Sequence, residues 1–324
     1  MSDHIIKAYQ SLPVTFSHGD GCYLWDSEGK RYLDALSGIS VTSLGHNYPA
    51  VTKAIQEQAA TLLHTSNLYS IGWQQKLADL LCQTADMDRV FFANSGAEAN
   101  EAAIKLARLY GHQQGISNPQ IVVMEHAFHG RTMATLSATG SRKVQAGFEP
   151  LVAGFVRAPY NDIASIEAIA ENNRGVVAIL VEPVQGEAGI VIPDTGYLSE
   201  LRRICDQNHW LLMLDEIQSG MARSGKMFAC QHEKVIPDVM TLAKALGNGV
   251  PVGACLASGK AAEVIQPGNH GSTFGGNPLA CRTGYTVLAS MLENNIADNA
   301  ALRGQQLAEA LRKHPQAFDD LYVN

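Results

Sequence analysis

The feature that most constrains the fold is a series of short apolar segments that alternate with amphipathic ones. The short segments are apolar at successive positions, as expected for strands that are covered on both faces. They are RVFFAN (89–94), QIVVMEHAF (120–128), VVAILVEP (176–183), WLLMLDE (210–216), VMTLAKAL (239–246) and VGACLAS (252–258). Helical stretches between them, such as residues 198–205, suit crossovers between parallel strands. The pattern predicts an α/β fold with a mostly parallel central sheet sandwiched by helices.

The segment before this series has a different pattern. CYLWD (22–26) and RYLDAL (31–36) are separated by a four-residue stretch that contains Gly29, which predicts a β-hairpin. Apolar residues then recur at helical spacing at Val51, Ile55, Ala59 and Leu62, and again at Leu77, Leu80 and Leu81. We therefore expect a small β element followed by two helices.

Composition excludes several classes of function. The 324 residues carry a net charge of −7 without a sustained basic stripe, so we expect no nucleic-acid partner and no anionic membrane partner. No apolar run approaches the roughly 20 residues needed to span a bilayer, and MSDHIIKAYQ lacks the pattern of a secretory signal. The six cysteines are far apart without a CxxC pair, which predicts reduced thiols and no metal site. A cytoplasmic location is expected.

Two carboxylates stand at the end of a predicted buried strand. Asp215 and Glu216 follow the apolar run 211–214, and the carboxyl ends of parallel strands are where ligands bind in such sheets. A carboxylate there is destabilising unless it meets a cation or hydrogen-bond donors. A helix cap or a loop ion pair would satisfy Asp215, and so would a cationic ligand.

A lysine follows the next predicted strand. Lys244 comes after Thr241, Leu242 and Ala243, and small residues surround it, which leaves room for a bulky group beside the amine. Burial lowers the pKa of an amine and makes it a plausible imine-forming nucleophile. The alternative is an ordinary lysine whose ammonium group reaches solvent from a strand end.

The stretch ANSGAEANEAAIKLAR (93–108) predicts a strand end followed by a helix. Ser95, Gly96 and Ala97 at the helix start would let backbone N–H groups approach a phosphate, although serine also caps helices without any ligand. No Gly-Lys-Ser/Thr follows, so this is not a Walker loop. A phosphate site, an imine-forming lysine and a buried acid together match the requirements of pyridoxal 5′-phosphate.

Six motifs follow one another in order and together cover nearly the whole chain. They are NSGAEANEAAIKLAR, HAFHGRT, VEPVQGEAG, LLMLDEIQSG, TLAKALGNGVPVGA and STFGGNPLAC. With them the sequence resembles the class III pyridoxal-phosphate aminotransferases, closest to those that act on acetylornithine. The resemblance implies the fold of type I pyridoxal-phosphate transferases. It also implies three segments: residues 1–50 as an N-terminal part of a small domain, 51–290 as the large cofactor-binding domain, and 291–324 as the start of a C-terminal small domain.

The resemblance further implies roles for individual residues. It implies a homodimer with shared active sites, because one phosphate ligand comes from the neighbouring subunit. The implied cofactor residues are Ser95, Gly96 and Ala97 at the phosphate, Thr273 from the partner, Phe128 stacked on the ring, Asp215 at the ring nitrogen, Gln218 near the ring hydroxyl, and Lys244 at the aldehyde. Asp215 and Lys244 are the implied catalytic residues.

Three residues are implied in substrate binding. Arg131 would hold the α-carboxylate of an ornithine-type substrate, and Glu187 would pair with a second arginine while the amino donor is bound. Ile39 stands where ornithine aminotransferases carry a tyrosine for the α-amino group. An apolar side chain cannot satisfy a buried ammonium, so an acylated α-nitrogen is favoured. The implied reaction moves the δ-amino group of N-acetylornithine to 2-oxoglutarate in arginine biosynthesis.

The sequence departs from the family pattern at several positions. Relatives commonly have glycine where Ala222 and Asn248 stand, and tyrosine where Ser70 stands. Relatives also continue for tens of residues past a position like 324, so we expect an incomplete small domain without the second arginine. The alternatives are an aminotransferase for succinylornithine, succinyl-diaminopimelate or 4-aminobutyrate, or an inactive cofactor-binding fragment. A nicotinamide dehydrogenase is disfavoured because no GxGxxG follows the first strand.

Overall fold

The computed structural model describes residues 4–313 of the chain, which contain two β-sheets flanked by helices. The strands are β1 (Phe16–Asp20), β2 (Tyr23–Asp26), β3 (Arg31–Leu33), β4 (Arg89–Ala93), β5 (Gln120–Met124), β6 (Phe155–Ala158), β7 (Val176–Val181), β8 (Leu211–Asp215), β9 (Val239–Leu242) and β10 (Gly253–Ala257). The helices are α1 (Ser37–Ser40), α2 (Pro49–Ala59), α3 (Gly72–Ala85), α4 (Gly96–Gln113), α5 (Met133–Ala138), α6 (Arg142–Gln145), α7 (Ile163–Asn172), α8 (Tyr197–Asn208), α9 (Pro278–Glu293) and α10 (Ile296–Arg312). Short 3₁₀ helices span Ala229–His232, Lys244–Leu246 and Gly259–Ala261.

The first sheet is an antiparallel meander of β1, β2 and β3. Its second and third strands form the predicted hairpin, in which Tyr23 lies opposite Leu33. Gly29 occupies the left-handed region in the turn, with φ of 83°. The sequence did not indicate β1, because FSHGD has neither alternation nor β-branched residues.

The second sheet has seven strands in the order β4-β10-β9-β8-β7-β5-β6. Its strands all run in one direction except β10, which is antiparallel to both β4 and β9. The predicted mostly parallel sheet is therefore confirmed. The pattern missed β6, a short edge strand with an exposed Arg157, and it could not show that β10 is reversed.

The apolar strands bury both of their faces. Alternate side chains of one strand enter two different hydrophobic clusters, for example Leu212 on one side of the sheet and Leu211 and Met213 on the other. Burying each such side chain stabilises the fold by roughly 1.5–3 kcal/mol. This two-sided burial is the reason that these strands are continuously apolar in the sequence.

The helices agree with the periodic segments of the sequence. Residues 51–62 fall largely within α2, 77–81 lie in α3, and 198–205 lie in α8. The division at residues 50 and 290 stays a prediction, and its positions 1–3 and 314–324 lie outside the described residues. Within residues 4–313, no helix combines the length and the apolar character required for a membrane span.

Candidate active site

A cavity of about 390 Å³ opens at the carboxyl edge of the large sheet. The segments after β4, β5, β7, β8 and β9 line it, and the reversed strand β10 reaches it with its amino end. This is the position at which ligands bind in open α/β sheets. Its lining includes Ser95, Gly96, Ala97, Phe128, Arg131, Glu187, Asp215, Gln218 and Lys244, all of them predicted from the sequence.

Asp215 is the last residue of β8, and it is only 4% exposed. Its Oδ2 accepts a hydrogen bond of 2.8 Å from Nδ2 of Asn100 and lies 2.8 Å from Nδ1 of His129. Its Oδ1 accepts from the backbone N–H of Ile217 at 3.1 Å. Asn100 is itself held by Thr241, whose hydroxyl donates to Oδ1 of Asn100 at 2.7 Å. These partners stabilise the buried charge and fix the orientation of the carboxylate.

The neighbouring carboxylate, Glu216, has a separate set of partners. It is fully buried, and it accepts from the Ser219 hydroxyl and from the backbone N–H groups of Ala229 and Cys230 at 2.6–3.0 Å. Burial raises the pKa of Glu216. The two adjacent carboxylates thus differ in role, because Asp215 lines the cavity while Glu216 joins the β8 end to the segment 229–230.

Lys244 begins the short helix after β9 and lines the same cavity. The strand register places Thr241 beside Asp215, so the lysine follows closely on the strand next to the acid. Burial lowers the pKa of the Lys244 ammonium, and the nearby carboxylates of Asp215 and Glu187 partly offset that effect. Lys244 also has φ of 46°, an unfavourable backbone conformation for a residue with a side chain.

The amino end of α4 forms another wall of the cavity. Ser95 caps the helix by accepting a hydrogen bond of 3.2 Å from the N–H of Glu98. The first-turn N–H groups at Gly96 and Ala97 have no acceptor within the helix and suit an anion. Strand β10 lies so close that a Cβ atom at Gly253 would overlap the carbonyl oxygen of Ser95. The sequence therefore needs glycine at 253 to keep this helix end in place.

Aromatic, cationic and amide side chains complete the lining. The guanidinium carbon of Arg131 lies 5.7 Å from the ring centroid of Phe128, and the Arg131 side chain is exposed to solvent. Gln218 packs against Gly186, where an added Cβ would overlap the Gln218 amide oxygen. Glu187 lies at the exposed side of the cavity.

Two predicted site residues are not part of this cavity in the single chain. Ile39 is 53% exposed, and Val41, two residues later, lines the cavity in its place. Thr273 is exposed on the loop between β10 and α9. The structure gives no contact of either residue with the cavity, and their roles stay predictions.

Sequence reasoning missed several residues of the site. Glu182 is buried, lines the cavity and accepts a hydrogen bond of 3.1 Å from the N–H of Phe128. Burial raises the pKa of Glu182 to about 7. Glu182 directly follows the apolar run of β7, so the strand-end rule that selected Asp215 could have found it. Asn100 and His129 carried no comparable signal, since their roles depend on contacts between distant segments.

The arrangement fits pyridoxal 5′-phosphate. The cavity has an amine on one side, a buried carboxylate on another and a helix amino terminus on a third, which match the aldehyde, ring nitrogen and phosphate of that cofactor. Its volume lies in the range of small-molecule sites. Fold and site together define a pyridoxal-phosphate-dependent enzyme.

The chain belongs to the class-III aminotransferase family, because the sequence model of that family matches residues 5–321. It is 59% identical to an acetylornithine aminotransferase of Nitrosomonas europaea over 318 residues, which are 98% of this chain and 81% of that protein. The acetylornithine aminotransferase structure from Elizabethkingia anophelis superposes with a TM-score of 0.85 and 37% identity, covering 96% of this chain and 76% of that one.

A structure of the ornithine aminotransferase from Toxoplasma gondii shows partial occupancy of PLP at its active site. It superposes with a TM-score of 0.93 and 34% identity, over 96% of this chain and 74% of that one. Class III aminotransferases depend on pyridoxal 5′-phosphate. The predicted enzyme class and cofactor are confirmed.

Proposed function

We propose that the protein transfers the δ-amino group of N-acetylornithine to 2-oxoglutarate, giving N-acetylglutamate 5-semialdehyde and glutamate. Relatives that are 46–59% identical over nearly the whole chain are acetylornithine aminotransferases by name. The observation that carries the proposal is that Lys244, Asp215 and Arg131 line one cavity. That cavity therefore combines an amine, an acid and a carboxylate-binding group.

When bound, pyridoxal 5′-phosphate supplies an aldehyde that receives the amino group and a ring that withdraws electrons from the substrate carbon. Lys244 is the group that moves the proton at this carbon. Its lowered pKa increases the fraction of neutral amine near pH 7, and a neutral Nζ can accept a proton and later return it. Asp215 is buried with three hydrogen-bond partners, and its charge would stabilise a protonated ring nitrogen of the bound cofactor.

In this proposal the substrate is selected by Arg131 and by apolar residues that line the cavity. A guanidinium group can bind a carboxylate through two parallel hydrogen bonds, and Arg131 is exposed at the cavity edge where an incoming substrate arrives. Val41, Val250 and Val252 line the cavity as well. Such a wall leaves an ammonium group without partners but accommodates an acetamide methyl group, which favours acetylated ornithine over ornithine.

We also propose that the protein is a homodimer with shared active sites. Exposed apolar side chains cluster on two segments that contact each other: Leu62, Leu63, Leu68 and Tyr69 on one, and Phe274 on the other. The ring centroids of His64 and Phe274 lie 5.4 Å apart, and Nδ2 of Asn67 donates to the carbonyls of Ser272 and Gly275 at 3.0 and 2.9 Å. Thr273 lies on this surface, which supports the proposal that it binds the cofactor phosphate in the active site of the partner subunit.

A spectrophotometric titration tests the proposed function. Protein purified with its cofactor should absorb visible light and lose that absorbance when N-acetylornithine is added. Addition of 2-oxoglutarate should then restore the spectrum and yield glutamate. Ornithine, succinylornithine and 4-aminobutyrate serve as comparison donors, and faster bleaching by one of them would reject the acetylated substrate. A protein that no donor bleaches would be an inactive cofactor-binding fragment.

A further inference from the structure

The segment 37–47 leads into the cavity through an unusual backbone conformation. The four residues of α1, Ser37, Gly38, Ile39 and Ser40, have φ of 53°, 62°, 64° and 64°, so this single turn is left-handed and is not a right-handed α-helix. The left-handed region is unfavourable for residues with a side chain, above all for a β-branched one such as Ile39. Val41 follows directly and lines the cavity. Contacts from the surrounding structure must therefore hold this segment in place.

The amino end of the segment is fixed by Asp34. Its Oδ1 accepts hydrogen bonds from the N–H groups of Leu36 and Ser37 at 3.1 and 2.7 Å. Its Oδ2 lies 2.7 Å from Nε2 of His46, near the other end of the segment. Asp34 thus closes the segment into a loop, but it does not connect that loop to the large sheet.

Asn248 connects this segment to the part of the chain between β9 and β10. Its Oδ1 accepts a hydrogen bond of 2.9 Å from the N–H of Leu44, and its Nδ2 donates to the carbonyl of Gly45 at 3.1 Å. Asn248 stands four residues after Lys244 and has φ of 45°, a conformation that asparagine tolerates better than most residues. Its carboxamide offers a donor and an acceptor side by side, as a β-strand does.

We propose that Asn248 is a positioning residue that joins the 37–47 loop to the Lys244 segment and thereby places Val41 against the bound substrate. The proposal rests on the function given above. A second contact agrees with it, since Nη2 of Arg223 donates to the Ser43 hydroxyl of the same loop at 2.7 Å. Because the loop contributes a wall of the cavity and no proton-transfer group, its displacement should weaken substrate binding more than turnover.

The test uses Asn248→Gly in the cofactor-loaded enzyme, because glycine keeps the left-handed backbone and removes only the carboxamide. We expect the KM for N-acetylornithine to rise about tenfold, the effect of one to two hydrogen bonds, while kcat changes by less than about threefold. Asn295→Gly is the matched control, because Asn295 is also left-handed, with φ of 51°, and lies away from the cavity. It should leave both constants unchanged.

Hydrogen exchange gives a readout that does not depend on activity. The N–H of Leu44 donates to Asn248, so its exchange in the peptide covering 37–47 should accelerate about tenfold in Asn248→Gly but not in Asn295→Gly. Unchanged exchange together with an unchanged KM would overturn the proposal, as would a fall in kcat alone. If the wild-type enzyme does not use N-acetylornithine, the proposed function fails, whereas accelerated exchange would still show that Asn248 holds the loop.

Discussion

Nδ1 of His129 lies 2.8 Å from Oδ2 of Asp215, and the two side chains are 0% and 4% exposed. With a proton on Nδ1, the imidazole donates to the carboxylate and leaves Nε2 as an acceptor. That Nε2 atom is buried, and within residues 4–313 it has no hydrogen-bond partner. Together with Asn100, His129 holds the carboxylate that faces the cavity in a single orientation.

Replacing Asp215 tests this arrangement. In Asp215→Ala the site loses the charge that stabilises a protonated ring, so we expect kcat to fall by more than about 1,000-fold, together with weaker cofactor retention. Asp206→Ala removes an exposed aspartate of α8 and should retain activity. Steady-state kinetics and cofactor content measure both effects. Wild-type turnover in Asp215→Ala would contradict the role given to this acid.

Replacing Lys244 tests the point of covalent attachment. Lys244→Ala should leave the fold intact but abolish cofactor that borohydride can fix to the protein, because no other amine described in the cavity lining can take its place. Lys226→Ala removes an exposed lysine nearby in sequence and should keep the attachment. Mass spectrometry after reduction distinguishes the two variants. Reduced cofactor on the alanine variant would show that a different residue carries it.

Replacing Arg131 tests the recognition of the substrate carboxylate. A charge-assisted hydrogen bond contributes about 1.5–3 kcal/mol, so Arg131→Ala should raise the KM for N-acetylornithine roughly 10- to 100-fold. Arg142→Ala, at an exposed arginine of α6, is the control and should change the KM little. An unaltered KM in Arg131→Ala would reject this contact.

Glu182 should make stability depend on pH. Burial raises its pKa from 4.5 to about 7, so its stabilising contribution is complete below pH 4.5 and is lost as the pH rises through about 7. The change is on the order of 3 kcal/mol, at about 1.4 kcal/mol for each pKa unit. Urea unfolding between pH 4.5 and 8 should show this loss in the wild type and not in Glu182→Gln.

The exposed Glu171 supplies the control for that measurement. Glu171→Gln should follow the wild-type pH profile, because it removes an exposed carboxylate and leaves the buried Glu182 in place. Parallel profiles for the wild type and Glu182→Gln would mean that Glu182 does not titrate in this range.

Gly253 should be essential for the position of the amino end of α4, where we expect the cofactor phosphate to bind. A Cβ at this position would overlap the carbonyl of Ser95, so Gly253→Ala should displace the start of α4 and reduce the affinity for the cofactor about tenfold or more. Gly304→Ala is the matched control, because a Cβ there meets no atom within 4 Å and Gly304 does not line the cavity. Equilibrium dialysis of the cofactor measures the difference. Equal affinities in the two variants would show that a Cβ at position 253 does not displace the start of α4.

The sequence alone determined the type of sheet and predicted many of the residues that line the cavity. Strands buried on both faces consist mainly of apolar residues, so the point at which such a strand ends can be recognised from the sequence. Asp215 ends β8 and Lys244 follows β9, and both are recognised there as charged residues. The helix start at Ser95 could also be recognised from the sequence, because a capping residue and the small residues after it are local signals. These predictions depended only on neighbours within a few residues.

The tertiary structure alone decided the remaining features. Only the strand pairing shows that β10 is reversed and lies with Gly253 against Ser95, and only packing brings Asn100 and His129 to Asp215. The carboxamide of Asn248 meets residues 44–45 across some 200 positions of the chain. Such contacts have no local pattern, because a side chain's partner depends on which distant segments the fold places beside it.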